Sequence, residues 1–212
     1  MKRIIFLLSL IMFLLSTGCH TGSFRNYSNA ASEEYYDTTV APPYVSKQDA
    51  AIQPDNCTRG TPTPVVKKSV YSNARFILKK DSLTGIETVS LKNNDRLTIT
   101  NTGCEYYTLI FRFETSAFSQ DSVSKAYWFK AGSMLMKSIL KGLDAPINLK
   151  KGIDKLDHII KKDSVTHYQN LSYEKEIDFG AGDIRSIIVV EPVQWLDNGI
   201  SAVTISFSVG PL

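Results

Sequence analysis

Over residues 200–209 the chain alternates without a break, with Val203, Ile205, Phe207 and Val209 on one side and Thr204, Ser206 and Ser208 on the other. A repeat of two is the side-chain period of a β-strand, so this segment demands one buried face and one wet face. A single strand has no independent stability. The remainder of the chain must therefore supply neighbouring strands and a cover for the apolar side.

Those neighbours are visible upstream. Tyr107, Leu109, Phe111 and Phe113 share one face of a second strong strand, and Thr108, Arg112 and Glu114 share the other. Residues 86–91 and 97–100 read as a hairpin around Asn93-Asn94-Asp95, with a strand at 75–78 before it and a turn at Asp81-Ser82-Leu83-Thr84-Gly85. Nearer the C-terminus, residues 184–191 make a strong strand and 176–179 a weaker one. Gly180-Ala181-Gly182-Asp183 between them is a turn, because a phosphate cradle needs a helix N-terminus that this position lacks. Asp197-Asn198-Gly199 has the turn chemistry to join the last two strands.

Between the two strand blocks the period changes. Within 123–140, Tyr127, Ala131, Met134, Leu135 and Ser138 follow helical spacing, with Lys130, Lys137 and Lys141 on another side and Gly142 and Pro146 as the stop. A second helix begins after Asn148, with Leu149, Ile153, Leu156 and Ile160 as its apolar stripe and Lys151, Lys155 and His158 turned away. The expected fold class is α+β: a mostly antiparallel β-sheet with two amphipathic helices inserted between N- and C-terminal strand blocks, in one domain over 67–212.

The first residues say where such a domain works. Lys2 and Arg3 precede an apolar run of about twelve residues, followed by Ser16, Thr17 and Gly18 before Cys19, which is the layout of a secretory signal peptide over 1–18. The run is well short of the roughly twenty residues that a membrane-spanning helix needs. Leu15-Ser16-Thr17-Gly18-Cys19 resembles the lipobox of bacterial lipoproteins, and the resemblance covers only residues 1–19. It implies that the Cys19 thiol carries diacylglycerol and that the chain is attached to a membrane through this lipid. It further implies a cell-envelope location on the periplasmic or cell-surface side, with the outer membrane as the expected membrane. Ser16 and Gly18 also suit ordinary signal peptidase, which would leave a soluble product with a free cysteine. Of the three cysteines, lipidation of Cys19 leaves Cys57 and Cys104 as an even pair for an oxidising compartment. Their bond would close a loop of about 48 residues, for which chain entropy gives roughly 4 kcal/mol; two free thiols in a reducing compartment are the alternative.

Residues 19–66 form the lipidated cysteine and a tether. From His20 onward Ser, Thr, Asn, Tyr and Pro dominate without apolar periodicity, a composition that cannot offset its own ordering entropy. As a flexible coil the tether would span on the order of 35 to 40 Å. Tyr35 and Tyr36 within it read as spacer rather than as a docking motif.

No constellation in the sequence commits to a reaction. The 24 basic and 21 acidic residues become 22 and 21 once Lys2 and Arg3 leave with the leader, so a nucleic-acid partner is not expected. His20, His158 and His167 are too few and too scattered for a metal site, and no cofactor is expected. Asp154 and His158 read as a solvated pair on a polar helix face, and Ser164 and His167 share a loop with nothing to activate either. Aromatic residues have more functional pull: Trp195, Tyr106 and Trp128 are the candidate partner contacts, Trp195 foremost because its turn does not require a large apolar side chain. The expectation is a non-enzymatic envelope module that binds protein or glycan. Its rivals are a hydrolase using a carboxylate pair drawn from Glu105, Glu114, Glu174, Glu176 and Glu191, and an inhibitor or immunity protein.

Overall fold

The computed structural model describes residue 57 and residues 60–119 and 122–211. Strands β1 (Arg75–Leu78), β2 (Gly85–Ser90), β3 (Arg96–Thr102) and β4 (Tyr107–Thr115) form an antiparallel meander. Helices α1 (Lys125–Ile139) and α2 (Leu149–Asp163) follow, and then β5 (Ile177–Asp178), β6 (Arg185–Val190), β7 (Gln194–Trp195) and β8 (Ser201–Gly210). The spatial order is β1-β2-β3-β4-β8-β6-β5, with β7 also on β8 and every pair antiparallel. The α+β class expected from the sequence, with both helices between the strand blocks, is the fold the chain adopts.

Register explains where the core lies. Leu97 faces Phe113, Ile99 faces Phe111, Phe111 faces Ile205, and Leu109 and Ile188 both face Phe207. All of these side chains are buried, and burying each contributes about 1.5–3 kcal/mol. The Phe207 ring meets Phe111 and Phe179 edge-on, with centroids 5.8 and 6.2 Å away, the orientation that aromatic quadrupoles favour. On the opposite face Thr98, Thr100, Thr108, Thr204, Ser206 and Ser208 remain partly exposed.

Both helices cover the apolar face. A Cβ on Gly152 of α2 would stand 2.7 Å from the Phe207 ring, and one on Gly132 of α1 would stand 2.8 Å from Ile205. Glycine at these two positions lets the helix backbones approach the sheet closely. The α2 stripe is as the spacing predicts, with Leu149, Ile153, Leu156 and Ile160 buried. Asn148 caps that helix by accepting a hydrogen bond from the Lys151 N–H at 3.0 Å.

Helix α1 is rotated from the expected face. Met134 is 60% exposed and Ser138 is exposed, while Ala126, Trp128, Phe129, Met136 and Ile139 are buried. Residues 126–136 are apolar nearly all round, so spacing alone admits more than one stripe; the contact of Gly132 with Ile205 selects the one observed.

The packed region also reaches back before residue 67. Val65 and Val66 are core residues, bridged to Leu143 by the Val66 pairing. Their N–H groups donate to the Glu87 carboxylate at 2.7 and 3.2 Å. Glu87 is buried on the helix-facing side of β2, at a position that alternation reserves for an apolar residue. Burial pushes its carboxyl above the usual range, and the two N–H donors and Lys68 only partly offset this.

Two outcomes follow. Met136→Ala should lower unfolding free energy by about 2–5 kcal/mol and Met134→Ala by under about 0.5 kcal/mol, as read by urea denaturation; the reverse order would place α1 in the wrong rotation. Because the folded state holds the Glu87 proton more tightly than the unfolded state does, stability should decline as pH rises from the ordinary glutamate value through the raised one. Glu87→Gln should flatten that decline in a pH series of denaturation curves, while losing about 1–3 kcal/mol for the acceptor no longer offered to one N–H.

Candidate functional site

The strand leading into the last hairpin is interrupted. From Arg185 to Val190, β6 follows one register against β8, but Gln194 and Trp195 pair with Ala202 and Ser201 in a register shifted by one residue. The extra residue lies around Pro192, which has no N–H to give to a ladder. Beyond β7 the chain reverses through Asp197-Asn198-Gly199, with Asn198 at φ 59° and Gly199 at φ 74°, and the Leu196 N–H donates to the Ile200 carbonyl at 2.8 Å. Positive φ at both central residues suits Asn-Gly and matches strand twist. This turn therefore joins β7 to β8, and the sheet presents Trp195 beside it.

Trp195 is 49% exposed. Its inner side rests on Trp128, with ring centroids 5.1 Å apart at 70°. Trp128 in turn meets Tyr127 at 5.1 Å and Phe118 at 6.3 Å. Hydrogen bonds hold this cluster: the Trp128 Nε1–H donates to the Ser122 carbonyl at 2.8 Å, and the Ser119 N–H donates to the Tyr127 hydroxyl at 2.9 Å. The result is a rigid aromatic base under one exposed indole. Next to it in the sheet, the buried Ser201 hydroxyl has no hydrogen-bond partner among the described residues.

The other sheet face at the same end is charged. Glu114 Oε2 accepts from Arg96 Nε at 2.9 Å and Nη2 at 2.5 Å, while its Oε1 accepts from Arg112 Nε at 3.3 Å. Arg112 Nη1 also donates to Gln194 Oε1 at 2.8 Å. Adjacent residues of β7 thus point to opposite faces, Gln194 into this ion cluster and Trp195 onto the aromatic one.

The structure separates the three aromatic residues proposed as contacts. Trp128 is 2% exposed, so its surface is used in packing and it offers no face to a partner; this corrects the expectation for that residue. Tyr106 lies at the far end of the sheet, where Gly210 of β8 sits against it. The nine steps of β8 from Ser201 to Gly210 put it about 30 Å from Trp195. Trp195 alone of the three is an exposed aromatic at this edge. Cys57 and Cys104 are bonded, with Cα atoms 5.1 Å apart, fastening the chain before the core to the β3–β4 turn. Cys19, the leader, His20 and the Tyr35–Tyr36 pair lie outside the described residues.

Several of the candidate polar groups are engaged elsewhere. Asp154 pairs with Lys150, and the Ser164 hydroxyl donates to the Lys161 carbonyl. Glu176 pairs with Arg185. No group of three His, Cys, Asp or Glu side chains among the described residues could hold a metal ion. What the Trp195 edge can do is bind: an anchored indole offers dispersion and CH–π contact at little entropic cost, since its rotamer is already held. Comparison of the chain with protein-family models, curated proteins and solved structures finds no match.

Trp128→Ala should cost about 3–5 kcal/mol in chemical denaturation, whereas Trp195→Ala should cost only about 0.5–1.5 kcal/mol, the worth of an aromatic pair. Equal losses would mean that Trp195 is a core residue and not a displayed one.

Proposed function

We propose that this chain is a non-enzymatic cell-envelope lipoprotein, held to a membrane by lipid on Cys19, whose α+β domain binds a protein or glycan partner through the Trp195 edge. The observation that carries the binding half is the half-exposed Trp195 indole, seated on the buried Trp128 ring. A large aromatic ring left in water costs free energy unless something covers it, and a ring already immobilised binds with little further ordering. The leader and lipobox support the anchoring half.

The disulfide agrees with that location. A bond between Cys57 and Cys104 persists where the compartment is oxidising, and export supplies such a compartment. The same bond fixes the last residues before the core to the sheet, so a tether from Cys19 would pull on a closed loop rather than on a frayed end.

A photo-crosslinking residue installed at position 195 in the exported chain should capture an envelope component that the same probe at Met134, which is more exposed, does not capture. Cys19→Ala should abolish labelling by a fatty-acid analogue and release the chain from the membrane fraction. Identical crosslinks at both positions would remove Trp195 from the reading, and membrane retention of an unlabelled chain would remove the lipid.

A further inference from the structure

Helix α2 segregates its charge. Lys151, Lys155, His158 and Lys162 are spaced i, i+4, i+7 and i+11, and all are exposed. At 100° per residue they fall within an arc of about 60°, over about 16 Å of helix. This arc lies directly opposite the buried stripe of Leu149, Ile153, Leu156 and Ile160, so it forms the outermost surface of the layer that covers the sheet.

Each acid of α2 is engaged by a group other than the lysines of that arc. Asp154 pairs with Lys150, and Asp157 is held by Lys137 and by the Ser133 hydroxyl. Asp163 is buried, accepting from the Thr166 hydroxyl, the Asn170 side chain and the N–H groups of Asn170 and Leu171. Among the described residues, no ion pair neutralises Lys151, Lys155 or Lys162. Beside the arc run two shallow grooves of about 280 and 310 Å³, bordered by Lys155, Lys162, Lys175 and Asn170 and also by three acids, Glu176 paired with Arg185, Asp178 accepting from the Gly180 N–H, and the buried Asp163. Past the helix end Val165 is 83% exposed, an apolar side chain next to Lys161 and Lys162.

We propose that the outward face of α2 docks on the anionic headgroups of a phospholipid membrane. Charge complementarity selects this occupant: unpaired lysines spread along one flat arc, with an apolar residue at its end, match a plane of phosphates with acyl chains beneath. The near balance of 22 basic and 21 acidic residues after the leader shows that the arc reflects segregation and not a general cationic excess. The position of the chain's entry agrees. Cys57 is bonded to the β3–β4 turn, Gly210 sits against the same turn, and Phe207 nearby packs on Gly152 in the first turn of α2. A tether from a lipid on Cys19, the reading proposed above, therefore reaches the domain at the end where α2 begins.

The test uses the mature chain from residue 19 onward carrying Cys19→Ser, so that neither the apolar leader nor an attached lipid can hold it, with vesicles of 30 mol% phosphatidylglycerol in phosphatidylcholine or of phosphatidylcholine alone. The expected result is co-sedimentation with the anionic vesicles beyond any seen with the neutral ones. This preference should fall with salt and by on the order of a hundredfold in K151E/K155E/K162E, given what each lysine near such a surface contributes. The Lys→Gln triple at the same positions serves if charge reversal disturbs folding, and Trp195→Ala should leave the preference intact. Equal binding to both vesicle types, or a preference that survives loss of the three lysines, would overturn the proposal. So would lysine-dependent retention on heparin without any vesicle preference. None of these outcomes depends on whether Cys19 is lipidated or Trp195 has a partner.

Discussion

The pairing of β8 between β4 and β6 is the constraint on which the rest of the molecule depends. It joins the meander of the first strand block to the strands of the second, and it places Ile205 and Phe207 at the centre of the apolar face. Tyr107 pairs with Val209 across most of the domain's length, so the sheet has no centre until the last residues of the chain arrive. Both helices are then positioned by that strand, because Gly132 rests on Ile205 and Gly152 on Phe207. A bulky residue at either glycine would lift a helix from the sheet and uncover the core.

With the helices on one face, the ends of the sheet acquire different characters. At one end the disulfide and the β3–β4 turn gather Cys57, Cys104, Tyr106 and Gly210. At the other end the register shift around Pro192 and the Asn198-Gly199 turn display Trp195 over Trp128 and set Gln194 into the Arg96–Glu114–Arg112 cluster. The outer arc of α2 forms a third surface, basic where the neighbouring acids have been drawn into pairs. Attachment and recognition, as proposed, would thus use separate regions of one small domain.

Legibility followed the strength of the local pattern. The clean alternations of β4 and β8 and the apolar stripe of α2 were readable because each has one solution with a single buried face. Helix α1 was recognisable as a helix, yet its apolar residues run round most of its circumference, so its rotation depended on a contact with a distant strand. The burial of Val65, Val66 and Glu87 had no sequence signal at all. Two valines after a proline-rich stretch resemble the end of a tether, and a glutamate within a strand resembles an exposed residue until its N–H donors are in place. Among the aromatic residues, sequence position put Trp195 foremost but left Trp128 a candidate beside it, because exposure is a property of packing.

By itself the sequence determined the fold class, the order of elements, the positions of most turns and the availability of Cys57 and Cys104 as a pair. Each of these follows from interactions within a few residues, or from counting. Tertiary structure alone decided the insertion of β8, the rotation of α1, the burial of Glu87, the separation of Tyr106 from Trp195 and the isolation of the α2 lysines from their acids. These depend on which surfaces meet across long stretches of chain, and periodicity carries no record of a partner in space.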